Sequence, residues 1–484
     1  MSIFDFIKID KSQKEPVYLQ IVYQTINAIR MERLEAGKKL PGTRAIAKEL
    51  GIHRNTVVAA IEELKTQDWV VVVANVGTYV NNIERKSKSL PKNKFLQNQL
   101  SIPFYRNNVL EFSFSETQKE LFFTDGIPDY RLISPKELSQ FYSNVLKRKK
   151  RTETKIPAKN FFFYEQLCNY LNVTRGFSIN KKNILCGNSR EMLLNVLSQM
   201  LIKNGDVVAV AEYNHYNSNM IFRQNGAKII TIPMGQNGII TNYIENNFKT
   251  GEIKILYINS QNQYPTTCNM TTQRKKELLN LATKMKFVII EDDLDFELGW
   301  YNDTPNTLYK QNQSAWIIYI GSFGRFLIPG FQTYFIVGTD DIISEANKYF
   351  SYLGNFDYYK EQALAEMITE GDIFRYTRKV LKTYQERKKM FAQLLHNYFN
   401  DTISYEIPNG GLSFWIIFNI KISLVQLSEK CNELGLYLPK NCLYQNQKHT
   451  AIRLGYAHLN EIEMKKAVQL LHLAITNLGN DFVK

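Results

Sequence analysis

The sequence predicts an α/β protein in which a small winged helix-turn-helix precedes a large body built on a mostly parallel sheet. In the body, short β-branched runs alternate with segments long enough for helices, which is typical of parallel strands covered on both faces. In the first part, three helical stretches precede two short strand-like runs joined by a tight turn. The length of 484 residues suits two or three domains. We therefore place the winged helix-turn-helix at residues 12–82, a linker at 83–118 and the body at 119–480.

The composition favours a polyanionic partner and gives no sign of a metal site or a membrane segment. Lys and Arg outnumber Asp and Glu by 60 to 46, a formal net charge of +14, and each contact of a cation with a phosphate releases a counterion. The charge alone does not decide for nucleic acid, since many basic proteins bind none. The five cysteines are scattered without zinc-type spacing, so we expect free thiols. The sequence has no signal-peptide core and no apolar run of membrane length, which favours a reducing cytoplasm.

The body contains four runs that are rich in β-branched residues and separated by helix-length sequence. They are 207–210 (VVAV), 228–232 (KIITI), 253–258 (IKILYI) and 287–290 (FVII). Such spacing predicts crossover connections between parallel strands. Upstream of them, residues 84–94 (ERKSKSLPKNK) are polar, basic and interrupted by proline. We interpret this segment as a solvated linker rather than as a second DNA-binding arm.

The first part has the succession of helices of a helix-turn-helix. Apolar residues recur at helical spacing from Leu19 to Ile29, after a proline at 16. Thr43 is predicted to cap a second helix, Arg44 to Leu50, which Gly51 ends. A third helix begins at Arg54, and in a helix-turn-helix this helix enters the major groove.

The candidate DNA contacts lie at the start of this third helix and on the hairpin after it. Arg54 can bind guanine, Asn55 can bind adenine, and Thr56 can contact a phosphate or a thymine methyl group. Residues 69–73 and 78–80 are strand-like and form a wing whose tip can approach the sugar-phosphate backbone. A small helical domain that binds another protein is the alternative, and the helical pattern alone does not exclude it.

Four segments of this part together resemble the GntR-type winged helix. They are 16–21 (PVYLQI), 39–44 (KLPGTR), 50–57 (LGIHRNTV) and 76–80 (VGTYV). The resemblance implies double-stranded DNA as the partner, and it adds Arg44, Gly77 and Thr78 to the DNA-binding candidates. His53 stands where the family has a serine cap, so we expect a less firmly anchored start of the third helix.

Several stretches of the body resemble the fold-type I aminotransferase domain that is fused to such winged helices in the MocR-type regulators. They span nearly all of residues 120–475 and include 126–129 (GIPD), 184–193 (ILCGNSREML), 212–216 (EYNHY), 262–265 (NQYP), 291–295 (EDDLD) and 452–456 (IRLGY). The resemblance implies a three-layer domain with a smaller C-terminal α+β subdomain, a homodimer, and pyridoxal phosphate as the cofactor of the family.

The same resemblance assigns cofactor or ligand contacts to eight residues. In the family, the residues at the positions of Asn188 and Ser189 hold the phosphate, and the one at Tyr216 stacks on the pyridine ring. The residue at Asp292 pairs with the pyridinium nitrogen, and the one at Arg453 binds a ligand carboxylate. The eight are Asn188, Ser189, Tyr216, Asn262, Asp292, Ser322, Arg325 and Arg453. A strand-end cap is the simpler explanation for Asp292, and a surface ion pair is the simpler one for Arg453.

The segment that should carry the catalytic lysine departs from the family. The family pattern SFSKxLxPxxR stands here as SFGRFLIPGFQ at 322–332, so Arg325 replaces the lysine and Gln332 replaces a phosphate-binding arginine. A guanidinium stays protonated and delocalised, and it cannot attack an aldehyde to form an imine. We therefore expect no catalytic residue and no transamination.

Three interpretations of the pocket stay open. In the first, pyridoxal phosphate binds without a covalent bond. In the second, Arg325 and Arg453 bind a different anionic effector. In the third, the pocket is vestigial and the body only dimerises. The first two fit a DNA-binding transcriptional regulator that senses a small anionic or amino-acid-related ligand. The alternatives are a pyridoxal-phosphate-dependent aminotransferase with a DNA-binding appendage and a DNA-binding dimer that has no ligand.

Overall fold

A computed structural model gives the structure of the chain as two compact units, which fall within Met1–Tyr105 and Arg106–Lys484. The residues that it describes are 7–10, 16–31, 33–74, 76–81, 119–148, 159–299, 306–311, 316–353, 357–445 and 449–481. The linker that we place at 83–118 lies outside the described residues. Within them, no helix is long and apolar enough to cross a bilayer.

The first unit is a winged helix-turn-helix. Three helices, α1 (Val17–Arg30), α2 (Thr43–Glu49) and α3 (Arg54–Thr66), precede the antiparallel hairpin of β1 (Val70–Val73) and β2 (Gly77–Val80). Each helix turns one apolar face inward, and burial of these faces stabilises the unit. The buried side chains include Ile21, Val22, Ile26, Ile46, Val57, Ile61, Leu64 and Trp69.

The two helices of the turn begin differently from what we expect. Helix α2 begins at Thr43 after Gly42, and Gly42 provides no side-chain cap, so the predicted Thr43 cap is wrong. The Thr43 hydroxyl instead lies 3.5 Å from Nε of Arg54, which donates to it. At α3, Nδ1 of His53 accepts from the Asn55 amide at 3.3 Å. The imidazole therefore supplies the cap that a serine would give.

Residues 7–10 also pack on the first helix, N-terminal to the boundary that we place at residue 12. Gln24 accepts from the Lys8 amide and donates to the Lys8 carbonyl, at 2.8 and 2.9 Å. One turn earlier, Gln20 makes the same pair of bonds with Asp10, each at 3.0 Å. Because glutamines four residues apart share one helix face, the two side-chain amides bind the backbone of this segment along one side of α1.

The second unit is organised around a seven-stranded sheet. In chain order its strands are β4 (Ile184–Gly187), β5 (Val207–Ala211), β6 (Lys228–Ile232), β9 (Ile253–Ile258), β10 (Val288–Asp293), β11 (Ile317–Phe323) and β12 (Thr333–Val337). Their order in the sheet is β4-β12-β11-β10-β9-β5-β6, and only β12 runs antiparallel to its neighbours among the described strands. The four strands predicted from the sequence are β5, β6, β9 and β10.

Helices cover both faces of this sheet, which gives the three-layer architecture. On β10, Ile289 packs in one hydrophobic cluster and Ile290 in the other, as the alternation of side chains along a strand requires. In chain order, the helices between the start of the unit and its C-terminal subdomain are α4 (Pro135–Arg148), α5 (Phe161–Arg175), α6 (Arg190–Leu201), α7 (Tyr216–Gln224), α8 (Thr241–Asn247), α9 (Thr272–Met285), α10 (Leu308–Gln311), α11 (Asp340–Leu353), α12 (Tyr358–Thr369) and α13 (Asp372–Phe399).

A smaller antiparallel sheet forms the C-terminal α+β subdomain. Its order is β13-β14-β17-β16, and α14 (Leu424–Glu433) and α15 (Glu461–Asp481) accompany it. Its strands are β13 (Ile403–Tyr405), β14 (Ser413–Phe418), β16 (Leu443–Gln445) and β17 (Thr450–Gly455). The start of the unit joins this part of the chain, because β3 (Leu121–Phe122) pairs in parallel with β15 (Leu436–Tyr437). A separate two-residue hairpin is made by β7 (Met234–Gly235) and β8 (Gly238–Ile239).

Candidate functional site

The start of α3 presents its polar side chains to solvent. Arg54 and Asn55 are exposed and Thr56 is half-buried, while Val57 begins the buried face of the helix. Arg44 is exposed near the start of α2. Donors and acceptors that read base edges must be accessible to the DNA, and the 3.5 Å contact of Nε of Arg54 with the Thr43 hydroxyl leaves the rest of this guanidinium at the surface. The unit thus holds four predicted DNA contacts at an accessible surface.

The wing places Gly77 and Thr78 at the beginning of β2, where both are half-buried. Gly77 has a φ of +147°, and a Cβ there would lie 2.6 Å from Cε of Lys39. Glycine adopts this backbone conformation readily, and its lack of a Cβ leaves room for the Lys39 side chain against the hairpin. Strand β1 leaves three valines accessible, since Val71, Val72 and Val73 are each more than 40% exposed.

The second unit has a cavity of about 100 Å³ where strands of its main sheet end. Residues that follow β9, β10 and β11 line it, together with residues that follow β3 and a side chain of β17. In open α/β sheets, ligands bind beyond the carboxyl ends of the strands. The lining residues are Asp125, Gly126, Arg190, His215, Tyr257, Asn259, Gln261, Asn262, Tyr264, Asp292, Asp293, Leu294, Asp295, Arg325 and Arg453.

Four of the eight predicted ligand contacts meet at this cavity, namely Asn262, Asp292, Arg325 and Arg453. The other four do not line it: Asn188, Ser189, Tyr216 and Ser322. Asn188 accepts from Nζ of Lys360 at 2.6 Å. Ser189 caps α6 by accepting from the Met192 amide, and the buried Ser322 donates to the Leu294 carbonyl at 2.6 Å.

His215, and not its neighbour Tyr216, lines the cavity. Tyr216 is 43% exposed, whereas His215 lines the cavity and packs on Tyr264 with ring centroids 4.7 Å apart. Nδ1 of His215 accepts from the Asn217 amide at 3.3 Å, so Nε2 carries the proton of the neutral ring. Burial and the charges of the three cavity arginines lower the pKa of His215 well below its ordinary value.

Asp292 is held by a buried polar network. It is 1% exposed, and its Oδ2 accepts from Nε of Arg190 at 2.7 Å and from the Tyr257 hydroxyl. Arg190 is the first residue of α6 and also donates to Tyr257 at 2.9 Å and to Ser218. Sequence reasoning did not single out Arg190, because its distance from Asp292 along the chain gives no local signal. Oδ1 of Asp292 has no hydrogen-bond partner among the described residues.

Arg325 is held by an ion pair within the cavity. Its guanidinium pairs with the Asp295 carboxylate and donates to the Gly126 carbonyl at 3.1 Å. The ion pair and the bond to the carbonyl together orient the guanidinium in the cavity. Gln332 donates to the carbonyls of Arg325 and Leu327, each at 3.1 Å.

Arg453 and Asn262 are the other two predicted ligand contacts that line the cavity beside Asp292 and Arg325. Arg453 is 3% exposed and donates to the carbonyls of Asp125 and Pro265 at 2.7 and 2.6 Å. Asn262 donates to Asp295 at 2.8 Å, and its own Oδ1 has no partner within the described part of the chain. A Cβ on Gly411 would lie 2.0 Å from Nδ2 of Asn262, so only glycine leaves room for this amide.

Neither metal ligation nor disulfide chemistry is indicated in the part of the chain that the structure describes. No group of three or more His, Cys, Asp or Glu side chains is placed to hold a metal ion among these residues. The five cysteines are free thiols, and four of them are buried.

Comparison with known proteins agrees with this architecture. The family model "Aminotransferase class I and II" matches residues 145–471, and "Bacterial regulatory proteins, gntR family" matches residues 17–80. The chain is 25% identical over 478 residues to the uncharacterized HTH-type transcriptional regulator YdfD of Bacillus subtilis, covering 97% of this chain and 98% of that protein. It is 21% identical over 486 residues to the probable rhizopine catabolism regulatory protein MocR of Rhizobium meliloti, covering 97% and 96%.

A solved structure shows the same fold in the second unit. The kynurenine aminotransferase of Pyrococcus horikoshii superposes with a TM-score of 0.68 at 20% identity, over 77% of this chain and 97% of that one. The match to the aminotransferase model covers more than half of the chain. The chain therefore belongs to the aminotransferase class I and II family, as a MocR-type member with a gntR-family winged helix-turn-helix at its N-terminus.

Proposed function

We propose that this protein is a DNA-binding transcriptional regulator whose aminotransferase-like body binds a small ligand and carries out no imine chemistry. The observation that carries the first part is the exposed Arg54-Asn55 pair at the start of α3. Two relatives that are named as regulators and align with 97% of this chain support it. The residues at 12–82 are proposed to bind duplex DNA, and the body at 119–480 to dimerise, so that one assembly reads two half-sites.

Arg54→Ala is expected to weaken binding to a specific duplex by roughly 10- to 100-fold. A bidentate contact of arginine with guanine contributes about 1–3 kcal/mol of discrimination. Arg44→Ala is expected to weaken binding in the same direction. The duplex is selected from a random-sequence pool by the wild-type protein, and affinity is measured by fluorescence anisotropy at one fixed salt concentration.

Lys65→Ala is the matched control, because Lys65 is an exposed cation at the far end of the same helix. Its affinity should stay within about twofold of the wild type, since only the N-terminal residues of such a helix reach base edges. Equal binding by wild type, Arg44→Ala and Arg54→Ala would rule out this mode of recognition. If the wild type selects no sequence at all, the regulatory function itself fails.

The residues of the body do not fit pyridoxal phosphate as an aminotransferase holds it. Arg325 stands at the lysine position, and no lysine is among the described residues that line the cavity. Asp292 is already paired with a cation, and the tyrosine expected to stack on the ring is turned to the surface. The alternative, an aminotransferase with a DNA-binding appendage, would need an imine that none of these groups can form. We therefore assign no catalytic step to the cofactor.

An amino-acid-like ligand suits the groups that the cavity offers. Arg453 makes bonds to carbonyls only, within the described residues, and a ligand carboxylate would add a charge-assisted bond. Two acceptors, Oδ1 of Asp292 and Oδ1 of Asn262, are buried without hydrogen-bond partners among the described residues, and N–H donors of a ligand would satisfy them. Buried polar atoms without partners are costly, so a ligand that carries N–H donors beside its carboxylate is favoured over a simple anion.

We expect a small amino acid to raise the thermal unfolding midpoint of the wild type and not that of Arg453→Met. A ligand at 100 times its dissociation constant stabilises the folded state by about 2.7 kcal/mol. The unfolding midpoint is measured by differential scanning fluorimetry with a set of amino acids, amines and carboxylates. Arg223→Met, which removes an exposed arginine of α7, should respond as the wild type does. A response to carboxylates alone would favour an anionic effector, and no response to any compound would favour the dimer without a ligand.

A further inference from the structure

The guanidinium of Arg190 occupies a position where a cation is ordinarily unfavourable. Arg190 is 4% exposed and is the first residue of α6. The first turn of a helix carries the positive end of its dipole, which attracts anions and repels cations. Removing a charged group from water adds a further cost of several kcal/mol. Something in the site must offset both.

What offsets this cost is Asp292 together with three neutral or peripheral groups. Nε of Arg190 donates to Oδ2 of Asp292 at 2.7 Å, in an ion pair whose side chains are 5% and 1% exposed. The remaining nitrogens bond to Tyr257, to Ser218 and, at 2.8 Å, to Glu191 on the rim. Asp292 is the one carboxylate in this set that is fully buried, so it provides the main counter-charge.

The Arg190–Asp292 pair lies on a different face of the sheet from the two carboxylates next to Asp292 in the chain. Along β10, Asp292 points to one side while Glu291 and Asp293 point to the other. Asp293 accepts from the Tyr319 hydroxyl at 2.9 Å, and Glu291 accepts from the amides of Leu308 and Tyr309, each at 2.8 Å. Those two carboxylates are thus satisfied elsewhere, and Arg190 neutralises Asp292 alone.

We infer that Arg190 is a built-in counter-ion that takes the place of the cofactor's ring cation at Asp292. Two arginines then make the site unsuited to pyridoxal phosphate: Arg325 cannot form the imine, and Arg190 neutralises Asp292. Asp292 can stabilise a protonated pyridine ring only while its negative charge is uncompensated, and Arg190 compensates it permanently. The inference extends the proposed function, but DNA binding has no part in its test.

The test compares pyridoxal phosphate binding by four proteins: the wild type, Arg325→Lys, Arg190→Gln/Arg325→Lys and Arg223→Gln/Arg325→Lys. Each is incubated with the cofactor, dialysed, and examined for an imine absorbance band, and the apparent Kd is measured by fluorescence quenching. We expect no band in the wild type and a band in Arg325→Lys that is lost on dialysis. Arg190→Gln/Arg325→Lys should retain the band and bind at least tenfold more tightly. The Arg223→Gln control should behave as Arg325→Lys alone.

Two results would overturn the inference. The first is equal affinity of Arg325→Lys and Arg190→Gln/Arg325→Lys, which would show that Arg190 does not oppose the cofactor. The second is no retained cofactor in either variant, since other departures such as Gln332 would then be decisive. An imine band in the wild type is a separate outcome, because it would refute the proposed absence of imine chemistry whatever Arg190 does.

Unfolding experiments keep the inference testable if Arg190→Gln folds poorly with Asp292 left uncompensated. Urea unfolding midpoints are measured for Arg190→Gln, Asp292→Asn and the double variant in the otherwise wild-type protein. A counter-ion role predicts that Arg190→Gln lowers the midpoint and that adding Asp292→Asn recovers part of the loss. Additive effects of the two substitutions would show that the pair is not coupled and would refute the role.

Discussion

Arg175→Met is expected to lower the free energy of unfolding of the second unit by about 3–5 kcal/mol, the range for removing one partner from a buried charged network. Arg175 is 0% exposed. Its Nη1 donates to the Tyr319 hydroxyl at 2.6 Å and its Nη2 to the Ser322 carbonyl at 2.8 Å. The guanidinium also lies 4.1 Å from the centroid of the Phe296 ring, an arrangement that favours a cation in an apolar setting.

The loss arises mainly from the carboxylates that Arg175 leaves behind. Burial raises the pKa of Asp293 to about 6, and Arg175 opposes this rise. Burial raises the pKa of Glu297 as well, with Arg175 again opposing. Without the guanidinium, both carboxylates lie in a dry interior with less positive charge to stabilise them. Methionine fills much of the volume, so the effect reports charge more than packing.

Chemical denaturation followed by tryptophan fluorescence measures this effect. Arg378→Met, which removes an exposed arginine of α13, is the control and should change stability by less than about 0.5 kcal/mol. Arg175→Lys keeps the charge but cannot make both directed bonds, and it should fall between the two. A loss below about 1 kcal/mol in Arg175→Met would mean that the buried guanidinium contributes little.

The sheet could be predicted from the sequence because its signal is local. A strand buried on both faces must be apolar throughout, and β-branched residues suit it. The run at 253–258 therefore coincides with β9 to the residue. The run at 228–232 coincides with β6 as well, although this strand lies at the edge of the sheet and only Ile232 is fully buried. Gly321 shows the limit of such reasoning. A Cβ there would lie 2.6 Å from Nη1 of Arg175, a contact between residues far apart in the chain.

The cavity was only half predicted, for a related reason. Motif order located Asp292, Arg325 and Arg453, but the family motif could not say which residue near 215 faces inward. One local signal was available: both His53 and His215 stand two residues before an asparagine whose amide the imidazole caps. Recognising that shared cap would have placed His215 at a helix start beside the cavity. Arg190 offered no such signal, since an arginine at a helix start is ordinarily exposed.

The stability of the second unit is expected to fall as the pH rises from about 4.5 to 8, because of Glu361 on α12. Glu361 is 6% exposed, and its Oε2 has no hydrogen-bond partner among the described residues. Burial raises the pKa of Glu361 from 4.5 to about 8; Lys360 and Lys159 oppose the rise and Asp357 adds to it. The folded protein then keeps a proton that the unfolded chain releases in this range. The stabilisation is complete below pH 4.5 and is lost as the pH passes 8, at up to about 1.36 kcal/mol per pH unit.

Glu361→Gln isolates this contribution, because other buried carboxyls also titrate. Burial raises the pKa of Glu291 to about 7, so the wild-type slope contains more than one group. The measured quantity is therefore the difference in unfolding free energy between wild type and Glu361→Gln at several pH values. That difference should turn in favour of the variant as the pH rises, since glutamine stays neutral where the glutamate must ionise. Glu370→Gln, at the exposed end of the same helix, should run parallel to the wild type. A parallel course for Glu361→Gln would mean that Glu361 ionises near its ordinary pKa, and that Lys360 and Lys159 compensate its burial in full.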